Sequence, residues 1–188
     1  MADPTRQDDP KVALRAALRA QRAAHTPHAT TGATLAALLD THPAWREARV
    51  VAGFMAVRGE IAVTEPLARA QARGVTLVLP RVTGSVLTFH VWSGEPLVPG
   101  SFGIPEPTLA LPMIDPSAID VLLVPGVAFT SAGARLGQGG GFYDRVLAGP
   151  RGRAIGVAWS FQVVETVPLD PWDQGVDGLV TEGGWVFG

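Results

Sequence analysis

The chain has 188 residues, of which 47% are hydrophobic and 17% charged, and a formal net charge of −2 at pH 7. This is the length of one domain with enough apolar material for a packed core, which excludes wholesale disorder. The chain contains no cysteine, which excludes disulfides, thiolate nucleophiles and Cys-ligated zinc, and its dispersed arginines form no basic stripe of the kind that binds nucleic acid.

Residues 1–9 begin MADPTRQDD, polar and acidic without an apolar stretch. They are expected to be a disordered tail and not a signal peptide. No apolar run approaches a membrane span. The expectation is a cytoplasmic monomer, touching neither membrane nor nucleic acid, with one domain over residues 10–188.

PKVALRAALRAQRAA, residues 10–24, reads as a helix with Pro10 in its first turn. Lys11, Arg15, Arg19 and Arg22 follow at spacings of four, four and three, so they share one face. That row is either a solvated face or a cationic rail aimed at an anion. Of the 15 basic side chains 14 are arginine, and Lys11 is the one lysine. It is either a chance survivor on a helix surface or a compact ammonium kept for a phosphate.

A second helix is predicted over 31–40, with Pro43 ending the connection. RVVAGFMAV, residues 49–57, reads as a buried strand. A helix from about 64 follows, with Thr64 as cap and Gly74 as stop, and then a strand over 75–80. A strand–helix–strand unit favours a parallel crossover. Residues 85–92 alternate and predict an antiparallel or edge strand. Residues 95–116, with six prolines, predict an ordered loop on the surface. IDVLLVPG, residues 119–126, is the clearest strand. A long loop follows to Gly141, then a helix from FYDRVLAG, a strand over 153–159, a short helix or turn, and two closing strands. The fold class is α/β: a single three-layer domain with a mostly parallel mixed central sheet and helices on both faces.

The loop RLGQGGGFYDR, residues 135–145, places four glycines in five positions at Gly137, Gly139, Gly140 and Gly141. It follows the strongest strand and opens a helix, where open α/β sheets bind ligands. Consecutive glycines can turn several backbone N–H groups toward one anion. The loop lacks the Gly-Lys-Ser/Thr of a P-loop, and Phe142 occupies the third glycine of a dinucleotide fingerprint. A turn without a ligand remains the alternative. Phe142 and Tyr143 can stack on a flat ring or pack the helix onto the sheet.

VPGVAFTSAGARLGQGGGFYDR, residues 124–145, resembles the signature of the 5-formyltetrahydrofolate cyclo-ligase family. Lys11 and Arg15, GFMAVRGE ending at Glu60, LPRV, FGIPEP, IGVAWSFQVVETVP and DGLVTE follow in that family's order, so the likeness runs from about residue 10 to 182. Trp172, in PWDQ, stands where the family commonly has histidine. The resemblance implies conversion of 5-formyltetrahydrofolate to 5,10-methenyltetrahydrofolate with ATP as co-substrate and Mg²⁺. It implies Lys11 and Arg145 as catalytic cations and an ATP site of Lys11, Arg15, Gly137, Gln138, Gly139, Gly140, Gly141, Phe142, Tyr143, Asp144 and Arg145. Arg15, Met55, Glu60, Gln138, Gly139, Gly140, Gly141 and Phe142 would contact the folate, and Asp144 and Asp173 the metal. Taken from the residues alone, Met55 can equally be core, Glu60 and Asp173 ordinary loop carboxylates, and Asp144 an acid favoured in a helix's first turn. The histidines His25, His28, His42 and His90 show no close pairing and are assigned no role.

Overall fold

The structure, a computed structural model, describes residues 9–188. Residues 1–8 of the expected tail lie outside them, whereas Asp9 belongs to the folded part. Its side chain accepts the Lys11 backbone N–H at 2.8 Å and caps α1 (Pro10–Ala24), satisfying a donor that has no partner within the helix.

α2 (Thr31–Leu39) leads to α3 (Pro43–Glu47). Pro43 therefore starts a helix and does not merely end a connection. Its missing N–H costs nothing in a first turn, and the His42 ring accepts the Ala44 N–H. β1 (Val50–Ala52) is much shorter than the nine-residue stretch 49–57 suggests. After Gly53, whose N–H still donates to Val78 O at 3.0 Å, the chain leaves the ladder, and Phe54 and Ile61 bury themselves as irregular chain. α4 (Thr64–Ala72) begins at the expected cap residue itself: Thr64 is already helical and Val63 holds the cap position. Gly74 ends it at φ 84°, a left-handed conformation that glycine adopts without strain.

β2 (Thr76–Thr83) runs parallel to β1, as a crossover helix requires. β3 (Val86–Val91) pairs antiparallel with β2, but it is not the edge. β4 (Val98–Pro99) and β5 (Pro105–Glu106) form a small ribbon, and β6 (Met113–Ile114) adds outside β3. β7 (Val121–Val124) is followed by a hairpin, β8 (Ala128–Phe129) and β9 (Arg135–Leu136), inside what the sequence presents as a loop. Then come α5 (Phe142–Leu147), β10 (Arg153–Val157), β11 (Gly178–Thr181) and β12 (Gly184–Phe187).

The sheet order is β12-β11-β10-β7-β1-β2-β3-β6. The five strands from β11 to β2 are parallel, and the flanking ones antiparallel. Val51, Leu77, Leu123, Ile155 and Val180 face one core with Leu35, Leu39, Trp45 and Leu67 from α2, α3 and α4. Ala52, Val78, Leu122, Val124 and Leu179 face a second core with Phe129 of the hairpin and Val146 and Leu147 of α5. Burial on both faces is why these strands read as unbroken apolar runs. Among the described residues no helix is long and apolar enough to cross a membrane.

The chain runs outward from β1 through β2 to β3, then returns to place β7 on the other side of β1. The strand order thus reverses between β1 and β7, and the loops after these two strands diverge there. In open α/β sheets this switch point is where ligands bind.

The start of β10 is held by backbone contact. Gly152 N–H donates to Ile119 O at 2.9 Å and Arg153 N–H to Asp120 O at 2.8 Å. A Cβ on Gly152 would overlap both carbonyl oxygens. Gly152→Ala is expected to destabilise the fold by about 2–4 kcal/mol. Urea denaturation measures this, and an unchanged midpoint would show that the β7–β10 junction tolerates displacement.

Candidate active site

A cavity of about 420 Å³ opens at the switch point. Phe54, Met55 and Glu60 line it from the loop after β1, Gly137–Asp144 from the loop after β9, and Phe102, Ile104 and Glu106 from the β4–β5 region.

The glycine loop is held by its carbonyls. Arg15 Nε donates to Gly137 O at 2.9 Å, Arg19 to Gln138 O at 2.9 Å and Arg145 to Gly140 O at 3.2 Å. Gly139 and Gly141 have φ of 107° and 66°, which a side chain would strain. With the carbonyls taken up by guanidinium groups, the N–H groups of residues 137–142 have no hydrogen-bond acceptor among the described residues. A row of unmet amides lining a cavity is an anion-binding arrangement.

Lys11 is buried and paired with two carboxylates, Asp170 at 2.6 Å and Asp173. Burial works against its charge, but the hydrogen bonds it donates to Asp170 and Asp173, with their negative charges, outweigh it and hold its pKa above the ordinary lysine value. Burial likewise opposes ionisation of Asp173, but the Asp170 N–H at 2.7 Å and Lys11 prevail, and its pKa is lowered. Asp144 Oδ1 accepts from Arg135 at 2.6 Å and from the Gln174 N–H at 3.2 Å. Arg135 is itself buried and also donates to Gln174 O.

Among the described residues no cluster of three or more His, Cys, Asp or Glu could hold a metal unaided. Mg²⁺ needs only one or two carboxylates when phosphate oxygens and water complete its shell. Asp144 and Asp173 each use a single oxygen for protein hydrogen bonds, leaving the other without a donor among the described residues. The Gln174 N–H ties the Asp173 segment to Asp144. The residues therefore fit a metal shared with a phosphate chain.

Glu60 is no solvated loop acid: its side chain is 7% exposed. Its oxygens accept from the Val57 N–H at 3.1 Å and Gln138 Nε2 at 2.8 Å, and Arg22 stands 3.6 Å away. Burial raises its pKa above the ordinary glutamate value, partly offset by Val57, Arg22 and Gln138. Tyr143 packs beneath Arg135, with its hydroxyl buried and without a partner among the described residues. Burial pushes its pKa far up.

Met55, Glu60 and the segment from Gly137 to Asp144 thus share one cavity wall. Lys11, Arg15, Arg145 and Asp173 stand outside the lining: Arg15 and Arg145 join it at Gly137 and Gly140, Asp173 through its neighbour Gln174 to Asp144, and Lys11 through Asp173. Phe142 packs edge-on to Phe102 at 6.0 Å with Arg145 over its ring. Trp172 is 68% exposed. Arg22, Arg135, Asp170, Gln174, Phe102 and Glu106 escape the sequence reading. Arg135 inside the glycine signature, Arg22 on the cationic face, Phe102 and Glu106 inside FGIPEP, and Gln174 inside PWDQ carried a signal; Asp170 did not.

A model of the 5-formyltetrahydrofolate cyclo-ligase family matches residues 7–182. The 5-formyltetrahydrofolate cyclo-ligase of Escherichia coli K12 is 36% identical over 174 residues, covering 87% of this chain and 96% of that one. The Saccharomyces cerevisiae enzyme of the same name is 32% identical over 165 residues, covering 72% and 77%. The NMR structure of Aquifex aeolicus 5,10-methenyltetrahydrofolate synthetase superposes with a TM-score of 0.82 at 35% identity, over 93% of this chain and 91% of that one.

A buried hydroxyl without a partner carries a desolvation penalty of roughly 1–3 kcal/mol. Tyr143→Phe removes it and keeps the ring. The ligand-free variant is expected to unfold at the same temperature as the parent or higher, by about 1 kcal/mol of stability. A clear loss in a thermal scan would mean that the hydroxyl has an acceptor in the free protein.

Proposed function

The chain belongs to the 5-formyltetrahydrofolate cyclo-ligase family of enzymes, and from that premise we propose that it converts 5-formyltetrahydrofolate to 5,10-methenyltetrahydrofolate at the expense of ATP. The observation that carries this reading is the glycine loop: its carbonyls are bound by three arginines and its amides are left unmet beside a carboxylate-bearing cavity.

The chemistry divides into two steps. The γ-phosphoryl group passes to the formyl oxygen, leaving ADP. N10 then attacks the activated formyl carbon, and inorganic phosphate departs as the ring closes. Phosphoryl transfer asks chiefly for positioning and charge stabilisation. The amides of residues 137–142 receive phosphate oxygens, and Arg15 and Arg145 add cations while holding the loop. An ammonium has three donors. Lys11 spends two on Asp170 and Asp173, which leaves the third for a phosphate oxygen. Asp144 and Asp173 would hold Mg²⁺, which supplies charge neutralisation at the phosphates. Met55 and Glu60 supply the folate side, Glu60 as an acceptor for ring N–H groups. Burial in the cavity wall keeps these groups away from competing water.

The direct test is incubation with 5-formyltetrahydrofolate and Mg-ATP, followed through the absorbance of the methenyl product. Formation that needs no ATP, or none at all, would sink the reading. Lys11→Ala is expected to raise the ATP KM by about tenfold or more with the folate KM little changed. An unaltered ATP dependence would remove Lys11 from the nucleotide site.

A further inference from the structure

Arg22 has no part in the chemistry above, yet its side chain is 1% exposed. All three guanidinium nitrogens are buried without a hydrogen-bond partner among the described residues. The nearest carboxylate oxygen, on Glu60, is 3.6 Å away, too far for a hydrogen bond. Packing does not account for a charge in such a place, because an apolar residue of similar volume would fill it with less penalty.

The turn that carries Glu60 rests on this arginine. Glu60 N–H donates to Val57 O at 3.0 Å. Both central residues, Arg58 and Gly59, have positive φ, as a type I′ turn requires. A Cβ on Gly59 would come within 3.1 Å of Arg22 O and 3.3 Å of Arg22 Cγ. Trp159 Nε1 holds Gly59 O from the other direction at 2.8 Å.

Among the described residues, the polar and charged groups that act on the Glu60 carboxylate are donors or cations. α1 contributes Arg22 and, through Gln138, Arg19. The turn contributes Arg58 and the Val57 N–H, and α5 contributes the Tyr143 phenol. Arg19 accounts for the orientation of the Gln138 amide: it donates to Oε1 at 2.9 Å, so the amide nitrogen is left for Glu60. A carboxylate has about four acceptor positions. Val57 and Gln138 fill two. Arg22 acts on the charge from 3.6 Å without filling another, so the remaining positions stay open to the cavity.

We propose that Arg22 is a positioning residue for Glu60: from behind the cavity wall it keeps the carboxylate ionised and aimed at the ring N–H donors of the bound folate. The proposal rests on the reading of Glu60 as the folate-side acceptor. Burial pushes Glu60 toward protonation; the Val57 N–H, Arg22 and Gln138 oppose it, Arg22 by charge alone. Without Arg22 the carboxyl titrates at higher pH, so folate binding is lost chiefly on the acid side and returns as pH rises.

The experiment measures folate and ATP KM for Arg22→Met, Arg22→Lys, Glu60→Gln and the double variant Glu60→Gln/Arg22→Met. Arg22→Met is expected to raise the folate KM about tenfold near pH 6 and far less near pH 9, with the ATP KM within about twofold. Arg22→Lys should recover most of the loss. With Glu60→Gln already present, adding Arg22→Met should leave the folate KM within about twofold, because the charge it serves is gone. That comparison stands even if Arg22→Met alone does not fold. A pH-independent loss shared by both substrates, or a further large loss in the Glu60→Gln background, would overturn the proposal and make Arg22 structural. If Glu60→Gln left the folate KM unchanged, the folate reading of Glu60 would fall and this proposal with it. If only the Arg22 variants were silent, the proposal alone would fall.

Discussion

Helix α1 is held to the protein through its charges more than through its apolar side, and the site depends on that attachment. Of its aliphatic residues only Leu18 is buried, against Val127, Ala128 and Leu136. Its cations do the rest: Lys11 engages Asp170 and Asp173, Arg15 and Arg19 engage the carbonyls of Gly137 and Gln138, and Arg22 stands against Glu60. A peptide group whose carbonyl is drawn one way presents its N–H the other way. By taking the carbonyls of the glycine loop, α1 sets the direction in which the following amides point. The loop alone, with glycine at φ 107° and 66°, would have little reason to hold one conformation.

The same arrangement explains how so many charges coexist in a small space. Asp144 is matched by Arg135, Asp173 by Lys11 and Glu60 by Arg22. Two of these pairs tie α1 to segments distant in sequence: Lys11 to Asp173 joins the start of the domain to the loop ahead of β11, Arg22 faces Glu60, and Gln174 then ties the Asp173 loop to Asp144. The elements around the cavity are thus closed into a ring by hydrogen bonds and ion pairs, while the sheet beneath supplies apolar burial. For the nucleotide proposed above, the cations would already be in place, so little reorganisation would be needed on binding.

Local rules made most of the architecture legible in the sequence. The unbroken runs at 121–124 and 153–157 read as doubly buried strands because both faces are covered, and Pro10 and Gly74 mark helix boundaries for reasons internal to the chain. What escaped was decided by distant partners. The apolar run from Gly53 to Val57 has strand composition, but Phe54 is drawn into the core and the chain must turn to deliver Glu60 to the switch point. The β8–β9 hairpin lies hidden in a glycine-rich stretch because each strand is two residues long. The glycine loop, Glu60 and the cationic face could be singled out, since residue type and spacing carry them. The pairing of Lys11 with Asp170, and of Arg135 with Gln174, could not: these contacts span 159 and 39 positions, and no local pattern records them.

The two kinds of carboxylate at the site act on stability in opposite senses. Asp173 has a lowered pKa in the folded state, so its contribution is present above the unfolded value and disappears as pH falls through the folded one. Lys11 is raised, so its contribution is present below the unfolded value and is lost as pH rises through the folded one. Between these limits their pair is fully ionised and supports the fold. Glu60 is different. Its raised pKa means that folding shifts its titration toward the protonated form relative to the unfolded chain, so its ionised form at neutral pH works against stability. A buried arginine without hydrogen bonds is unfavourable for the same reason. Two such features within 3.6 Å of each other make little sense as scaffolding, where a pair of aliphatic residues would serve better. They make sense where an ionised acceptor has to face a cavity and nothing on the solvent side can hold its charge. On that argument Arg19 and Arg22 belong with Lys11 and Arg15 in the site proposed above, one end of the helix turned to Asp170 and Asp173 and the other to Glu60.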